Sequence, residues 1–269
     1  MSIPHKIHAL WFQGEQNAPP LVRKCLQRWR NLNPEYQVEI YDRARVTDLL
    51  PSFPFDLNKL RDQALSDIFR IHILNTVGGI WADATVFPTA PLSQWLDQDG
   101  STGFFAFPGH RSPLDVSSWL LASEPNHLLI QAWWDKIPRY WTHPRTLISY
   151  RKEDGGFMAN YKQDPLRFFN SVRCNSTHYP YYWVMYMFTD LLTHNPAALS
   201  AWNAVPKRDA HAAHSVFFGL RDTPDMPEHE IQAAFNNEIV QKLSWRDSVL
   251  AQRCLSLSVF QNITLGSPI

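Results

Sequence analysis

The run ALSDIFRIHILNTVGGIWADATVF, residues 64–87, limits this chain's fold more than any other stretch. Its hydrophobic period changes halfway along. Leu65, Ile68, Phe69 and His72 recur at helical spacing and define one face of a helix. Gly78-Gly79 lets the chain leave that helix and turn. Ile80 to Phe87 then reads as a single strand ending at Pro88. A helix running directly into an apolar strand belongs to a layered α/β sheet. The polar residues inside this run need partners. Asp67 and Arg70 stand at i,i+3 and can point to one place; an exposed ion pair, worth little to stability, is the plain alternative. Asp83 and Thr85 stand two apart, so on a strand they share a face. An acid in an apolar strand is costly to bury alone. A divalent cation, or the hydroxyls of a ribose or sugar, would be a suitable partner; a strand-end Asp capping a turn is the alternative.

The flanking residues continue the layering. Lys6–Phe12 is strand-like and closes at Gln13-Gly14. Pro19-Pro20 suits a helix start, Leu21, Val22, Cys25, Leu26 and Trp29 follow at helical spacing, and Asn33-Pro34 stops that helix. Tyr36–Tyr41 alternates as a strand, with Asp42 as turn or cap. Strand, helix, strand, helix, strand predicts an α/β sheet whose ligands bind beyond the carboxyl ends of its strands. Further on, residues 103–107 and 117–122 read as strands. Asn126–Tyr140 reads as a helix capped by Asn126, and Tyr181–Leu192 as an aromatic-rich helix. Pro138, Pro144 and Pro165 break the pattern over 142–180. Residues 203–230 read as loop, with Pro206, Pro224 and Pro227, and a short polar helix follows from Ile231. No internal repeat or linker stands out.

Composition removes several functions. Lys+Arg and Asp+Glu are both 25, so no basic footprint for nucleic acid is visible. Cys25, Cys174 and Cys254 are far apart, which excludes a Cys-cluster zinc site and a disulfide scaffold and fits a reducing, cytoplasmic compartment. The opening MSIPHKIHALWFQG has no long apolar run, so no signal peptide is expected. No run of about 18 apolar residues is present to span a bilayer, which leaves peripheral contact at the inner membrane face. GxSxG, P-loop and HExxH patterns are absent. His8 and His72 lie in apolar surroundings and read as satisfied core residues. His211 and His214, three apart in DAHAAH, could ligate a metal but read more simply as structural. The 11 Trp fill a core or form stacking platforms for rings. Trp119, Trp133, Trp134, Trp141, Tyr181, Tyr182 and Trp183 could form an acceptor platform, with core packing the simpler reading of most of them.

SDIFR followed by GGIWADATV resembles the signature of nucleotide-sugar-dependent glycosyltransferases with a DXD motif. The resemblance is strongest to the bacterial capsular polysaccharide synthesis proteins, in which an SDI-x-R helix leads into GGIW-x-DATV. IHALWFQG, APPLVRKCLQRW and NPEYQVEIYD match that family's opening, and KLSWR resembles its closing Lys-Leu-aromatic-basic element. The resemblance is dense over residues 5–96, thin over 97–235, and returns at 242–246. It implies a GT-A-like, Rossmann-type nucleotide-sugar-binding sheet with irregular helical additions. Residues 1–269 would form one domain, with a nucleotide-sugar core over 1–96, an acceptor side over 97–235 and a closing segment over 236–269.

The resemblance also implies roles. Leu10 and Trp11 would meet the nucleotide base, with Trp11 stacking on a uracil ring. Ser66, Asp67 and Arg70 would hold the donor sugar. Asp83 would be the first acid of the DXD motif, beside Ala84, with Thr85 replacing the second acid. Asp67, Arg70 and Asp83 are the catalytic candidates. Mn²⁺ or Mg²⁺ would sit at Asp83 and Thr85, with His214 as a weaker third ligand; a hydroxyl is a poorer ligand than a carboxylate for such ions. Lys242, Ser244, Trp245 and Arg246 would close over the diphosphate, although a basic surface turn is the alternative. The implied activity is a hexosyltransferase reaction, from a UDP-sugar to a saccharide or lipid-linked saccharide hydroxyl, retaining in stereochemistry, in capsular or surface polysaccharide synthesis. A catalytically silent sugar-nucleotide-binding scaffold, kept open by Thr85, and a glycoside hydrolase using Asp67 and Asp83 are the alternatives.

Overall fold

A computed structural model describes residues 2–110, 113–148 and 177–265. Its strands are β1 (Lys6–Leu10), β2 (Gln37–Tyr41), β3 (Gly79–Ala82), β4 (Val86–Pro88), β5 (Phe104–Pro108), β6 (Val116–Ser123), β7 (Thr146–Leu147), β8 (His178–Tyr179) and β9 (Val240–Lys242). Its helices are α1 (Pro20–Leu32), α2 (Arg43–Leu49), α3 (Asp62–Thr76), α4 (Leu96–Asp99), α5 (Leu128–Tyr140), α6 (Trp183–His194), α7 (Pro196–Ala204), α8 (Ser215–Asp222), α9 (Glu228–Phe235), α10 (Ser248–Ser256) and α11 (Ser258–Gln261). A five-stranded sheet runs in the order β2-β1-β3-β6-β5. Strand β1 pairs in parallel with β2 and β3, whereas β6 runs antiparallel to both β3 and β5. The α/β class expected of a GT-A-like chain is therefore present, as a mixed sheet.

The order 2-1-3 fixes where a ligand can enter. The chain leaves β1 toward β2 on one side and returns as β3 on the other, so the carboxyl ends of β1 and β3 flank a crevice. Local sequence places each element. Pro20 opens α1 at the first helical position after Pro19, and Asn33 ends it. Asp42 accepts from Arg45 N–H and caps α2. Helix α3 ends at Thr76 and feeds β3 through Gly78 and Gly79, whose φ values are +71° and +100°.

Both sheet faces are covered. Phe104 and Ala106 of β5 face the core that holds α3, α5, α6 and α7, while Phe105 and Phe107 face the one that holds Trp29, Trp95 and Trp119. A third core joins α1 to α8, α9, α10 and α11. Trp119, Trp133, Trp141 and Trp183 are buried in these clusters, so they are packing residues. Of the candidate acceptor platform, only Tyr181 is a large exposed aromatic. His8 is buried and bonded at both nitrogens, to Tyr41 Oη and Gly78 O at 2.9 Å each, and burial lowers its pKa to about 4. His72 is less complete, with Nε2 bonded to Leu49 O at 3.1 Å and Nδ1 unpartnered. Cys25 and Cys254 are buried free thiols, and Cys174 lies outside the described residues.

Several boundaries differ from the reading of the sequence. The run 80–87 is two strands, because the chain turns at Asp83–Thr85 with Val86 N–H bonded to Asp83 O at 2.8 Å. His127, not Asn126, caps α5, since Asn126 takes φ +56° and turns the chain before the helix. The stretch 203–230 is not loop throughout: it holds α8 and the first residues of α9, with Pro227 at the α9 cap. Strand β9 and helices α10 and α11 were not foreseen. No helix among the described residues is long and apolar enough to cross a membrane.

The link between α3 and β3 is sterically closed. A Cβ on Gly79 would lie 2.6 Å from Lys6 O, in the neighbouring strand, and 3.2 Å from His8 Nε2. Gly79→Ala combines that clash with a left-handed backbone, which alone costs about 1–3 kcal/mol. Denaturant unfolding is expected to show at least this loss; a variant as stable as the parent would refute the account.

Candidate functional site

The site grows from the carboxyl ends of β1 and β3. Trp11 directly follows β1, its N–H bonded to Tyr41 O at 2.9 Å. Its half-buried ring packs against the cluster of Ala9, Ala18, Val22, Leu26 and Ala84. Asp83 directly follows β3. Helix α3 leads back into β3, which brings Asp67 and Arg70 to the same end. The expected i,i+3 pair is real and buried: Arg70 Nη1 lies 3.3 Å from Asp67 Oδ1, with side chains 8% and 5% exposed. It is not the surface ion pair of the alternative reading.

Arg70 is the hub. Nη1 donates to Ser118 O at 2.9 Å and Ser118 Oγ at 2.7 Å, which fixes the guanidinium to β6. Nη2 donates to Asp83 Oδ1 at 3.0 Å and to Ser66 Oγ at 3.3 Å. The guanidinium also lies over the Trp81 ring, 5.2 Å from its centroid. Asp83 Oδ1 takes a further bond from Trp81 Nε1 at 3.0 Å, and Oδ2 takes one from Lys242 Nζ at 3.1 Å. Lys242 Nζ also donates to Thr85 Oγ1 at 2.7 Å. Asp83 and Thr85 thus converge, but through a turn rather than the shared strand face expected.

The closing element arrives by strand pairing. Strand β9 runs antiparallel to β4, placing Lys242 opposite Val86, and Leu243 N–H bonds Thr85 O at 3.0 Å. Trp245 follows, 39% exposed, and meets Trp11 edge to face at 5.4 Å. The exposed Arg246 guanidinium lies 5.4 Å from the Trp245 ring centre. Ser244, between Leu243 and Trp245, is half-buried, and Leu10 is buried in the core that holds α3 rather than in the cluster against which Trp11 packs. His214 does not join the Asp83–Thr85 pair by any bond. Its Nδ1 bonds Ala210 O at 2.7 Å, its ring meets Trp119 at 5.3 Å, and burial with nearby Lys242 and His110 holds its pKa down to about 4. His211 is exposed beside Phe218.

The two carboxylates are driven apart electrostatically. Burial pushes Asp67 up to about 7, with Asp83 adding to the rise and Arg70 opposing it. Burial acts on Asp83 too, but Arg70 and Lys242 outweigh it and hold that carboxyl below its ordinary value. Gln63, one helical turn before Asp67, donates to Asp67 Oδ2 and to Tyr181 O, the latter at 2.9 Å. Gln63, Trp81 and Ser118 were not assigned roles from sequence. Gln63 stands at i,i+4 to Asp67 and Trp81 two before Asp83, spacings that could have found them; nothing local marks Ser118. Gln63 Oε1, Arg70 Nε and Trp11 Nε1 are buried polar atoms without a partner.

The donor set does not fit a resident divalent cation. Asp83 has both oxygens bonded, Thr85 is neutral and bonded to an ammonium, and among the described residues no group of three or more His, Cys, Asp or Glu could hold a metal.

A family model described as capsular polysaccharide synthesis protein matches residues 2–179. An uncharacterized glycosyltransferase of Acanthamoeba polyphaga mimivirus is 28% identical over 135 residues, 46% of this chain and 51% of the relative. The chain thus spans about half the length of that curated relative. The solved structure of PaToxG glycosyltransferase aligns over 97% of this chain and 86% of that chain, at 15% identity and TM-score 0.43.

The charge arrangement sets a pH signature. Folded Asp67 keeps its proton up to about pH 7, whereas an unfolded Asp releases it near 4. Between those values the native state binds more protons, so this residue's contribution to stability falls as pH rises through the window. Asp67→Asn is expected to remove that downward slope from the pH dependence of unfolding. Carboxyl ¹³C titration should show Asp67 ionising near neutrality and Asp83 below its normal range, with Asp83 moving upward in Lys242→Met; the reverse order would reject the assignment.

Proposed function

The chain belongs to the capsular polysaccharide synthesis protein family, and from that footing we propose that it transfers a sugar from a UDP-sugar to a saccharide hydroxyl. What supports the reading is that three kinds of group meet at the carboxyl ends of β1 and β3, linked through Asp83, Lys242 and the Trp11–Trp245 contact. Trp11 and Trp245 offer aromatic surface for a base. Lys242 and Arg246 offer positive charge for a diphosphate. Asp67 and Arg70 offer buried, oriented hydrogen-bonding groups for sugar hydroxyls.

The chemistry follows from those positions. The bond between sugar C1 and the diphosphate oxygen breaks, and its electron pair stays on that oxygen. Negative charge grows there, and positioned cations stabilise it; loss of one such donor typically costs about 100- to 1,000-fold in turnover. The acceptor oxygen bonds to C1, and its proton passes to the departing phosphoryl oxygen. Attack on the face that the diphosphate leaves retains the anomeric configuration. It needs no carboxylate nucleophile, and Asp83, tied to two cations and an indole, is badly placed to be one. The alternative of a hydrolase using Asp67 and Asp83 has less support, since one guanidinium bridges both acids and leaves no gap for a glycosidic bond.

Two substitutions separate the parts. Trp11→Ala is expected to weaken UDP binding by about 1–3 kcal/mol, the usual loss for a base–aromatic stack. Asp67→Asn is expected to abolish most transfer while leaving UDP affinity nearly intact. Calorimetry with UDP and nucleotide release from a panel of UDP-sugars read these outcomes. Unchanged UDP affinity in a folded Trp11→Ala protein would reject the base site, and equal losses of binding and turnover in Asp67→Asn would reject the sugar role.

A further inference from the structure

The geometry points to Lys242 as the resident cation of this site, holding the diphosphate where the DXD motif would otherwise recruit a divalent metal, so that donor binding and transfer are metal-independent. This rests on the glycosyltransferase reading above and specifies its electrostatics.

Four observations support it. First, the ammonium lies between the two side chains that the DXD spacing would offer an ion, 3.1 Å from Asp83 Oδ2 and 2.7 Å from Thr85 Oγ1. A metal bonded to both would have to displace it. Second, the other oxygen of Asp83 already accepts from Arg70 and Trp81 at 3.0 Å each, which fills its in-plane lone pairs. Third, the second acid of the motif is Thr85, a neutral hydroxyl, and hard divalent ions select carboxylates. His214, the remaining candidate ligand, has Nδ1 committed to Ala210 O.

The fourth observation is rigidity. A lysine on a loose tail would be a poor substitute for a fixed ion, but Lys242 is not on one. It ends β9, which is hydrogen-bonded to β4, and Leu243 N–H bonds the carbonyl of Thr85 itself. The preceding Gln241 is fully buried, donates to Ala212 O at 3.0 Å and accepts from Val216 N–H at 3.3 Å. Backbone and neighbour both pin the ammonium to the Asp83–Thr85 turn. An ammonium has three donors, of which two go to Asp83 and Thr85, leaving one for a phosphoryl oxygen. Arg70 is shared between Asp67 and Asp83, whereas Lys242 meets only one carboxylate and keeps a donor that an anionic leaving group can use.

The test compares UDP affinity of the intact protein by calorimetry in excess EDTA and in excess Mn²⁺, with Mn²⁺ binding to the nucleotide-free protein followed by electron paramagnetic resonance. The expected result is a UDP affinity that differs by less than about twofold between the two conditions, with no Mn²⁺ bound in the absence of nucleotide. Lys242→Met is expected to lose about tenfold or more in UDP affinity in EDTA and to recover part of it with Mn²⁺, because removing the ammonium frees Asp83. Lys242→Arg, which keeps the charge, should stay indifferent to metal. UDP binding that strengthens about tenfold or more with Mn²⁺ in the parent protein would overturn the inference without touching the donor assignment, and this arm needs no variant to fold. Absence of UDP binding in both conditions would instead overturn the UDP-sugar reading and the diphosphate role together. Tight Mn²⁺ binding by the nucleotide-free parent would overturn the exclusion of metal by Lys242.

Discussion

The Asp83 carboxylate, held between Arg70 and Lys242, is the interaction on which the site depends. Arg70 comes from α3 and is almost fully buried, so its charge must be met inside the protein. Losing one partner of a buried pair typically costs about 3–5 kcal/mol, because the other charge is left uncompensated. Here the compensation is spread over Asp67 on its own helix, Asp83 after β3, and Ser118 on β6. One guanidinium therefore ties three elements together, and the same carboxylate ties in a fourth, β9, through Lys242. Packing alone would allow these elements to slide; fork geometry at the guanidinium does not.

That shared guanidinium also explains how two acids behave so differently while sharing it. Asp83 has two cations and an indole N–H, enough to outweigh its burial. Asp67 has one shared cation and two neutral donors, Gln63 and Trp183, which is not enough to outweigh its burial. The difference is set by β9, since Lys242 reaches only Asp83. The electrostatics of residues that are close in sequence are thus decided by a residue about 160 positions away.

This division marks what was legible in the sequence and what was not. The helix, the glycine turn and β3 could be read because each depends on local spacing: the buried face of α3, the positive-φ pair Gly78-Gly79, the apolar run after it. Asp67 and Arg70 could be paired for the same reason. The turn at Asp83–Thr85 could not, because Ile80–Phe87 is uniformly apolar apart from those residues and resembles one strand. What bends it is the need of Val86–Pro88 to pair with Val240–Lys242. The prolines at 206, 224 and 227 suggested loop, whereas Pro227 stands at the mouth of α9, where its missing N–H does no harm. The resemblance at 242–246 singled out Lys242, which the structure bonds to Asp83 and Thr85, but not the strand that positions it.

The same long-range dependence bears on how the site comes to exist. Trp11 directly follows the first strand and Trp245 lies near the other end of the chain, yet their rings meet edge to face. Everything that Trp11, Asp67, Arg70 and Asp83 need from one another lies within the first third of the sequence, apart from Ser118. Everything that completes them, the second cation and the second aromatic wall, arrives with β9. Strand β9 in turn is anchored by α8, whose Val216 N–H bonds Gln241, and by the core shared among α1, α8, α10 and α11. Non-local pairings of this kind form only after their loop-closure entropy has been met by other contacts. The half-site at the carboxyl ends of β1 and β3 can thus form with the parallel sheet, but its charge stays unbalanced around Arg70 until the C-terminal helices have packed. The C-terminal segment is then not an appendage laid over a finished pocket. It supplies the cation bonded to Asp83 and the ring that meets Trp11, the parts that complete the proposed binding site, and its helices have a packing role in the core that makes this placement durable.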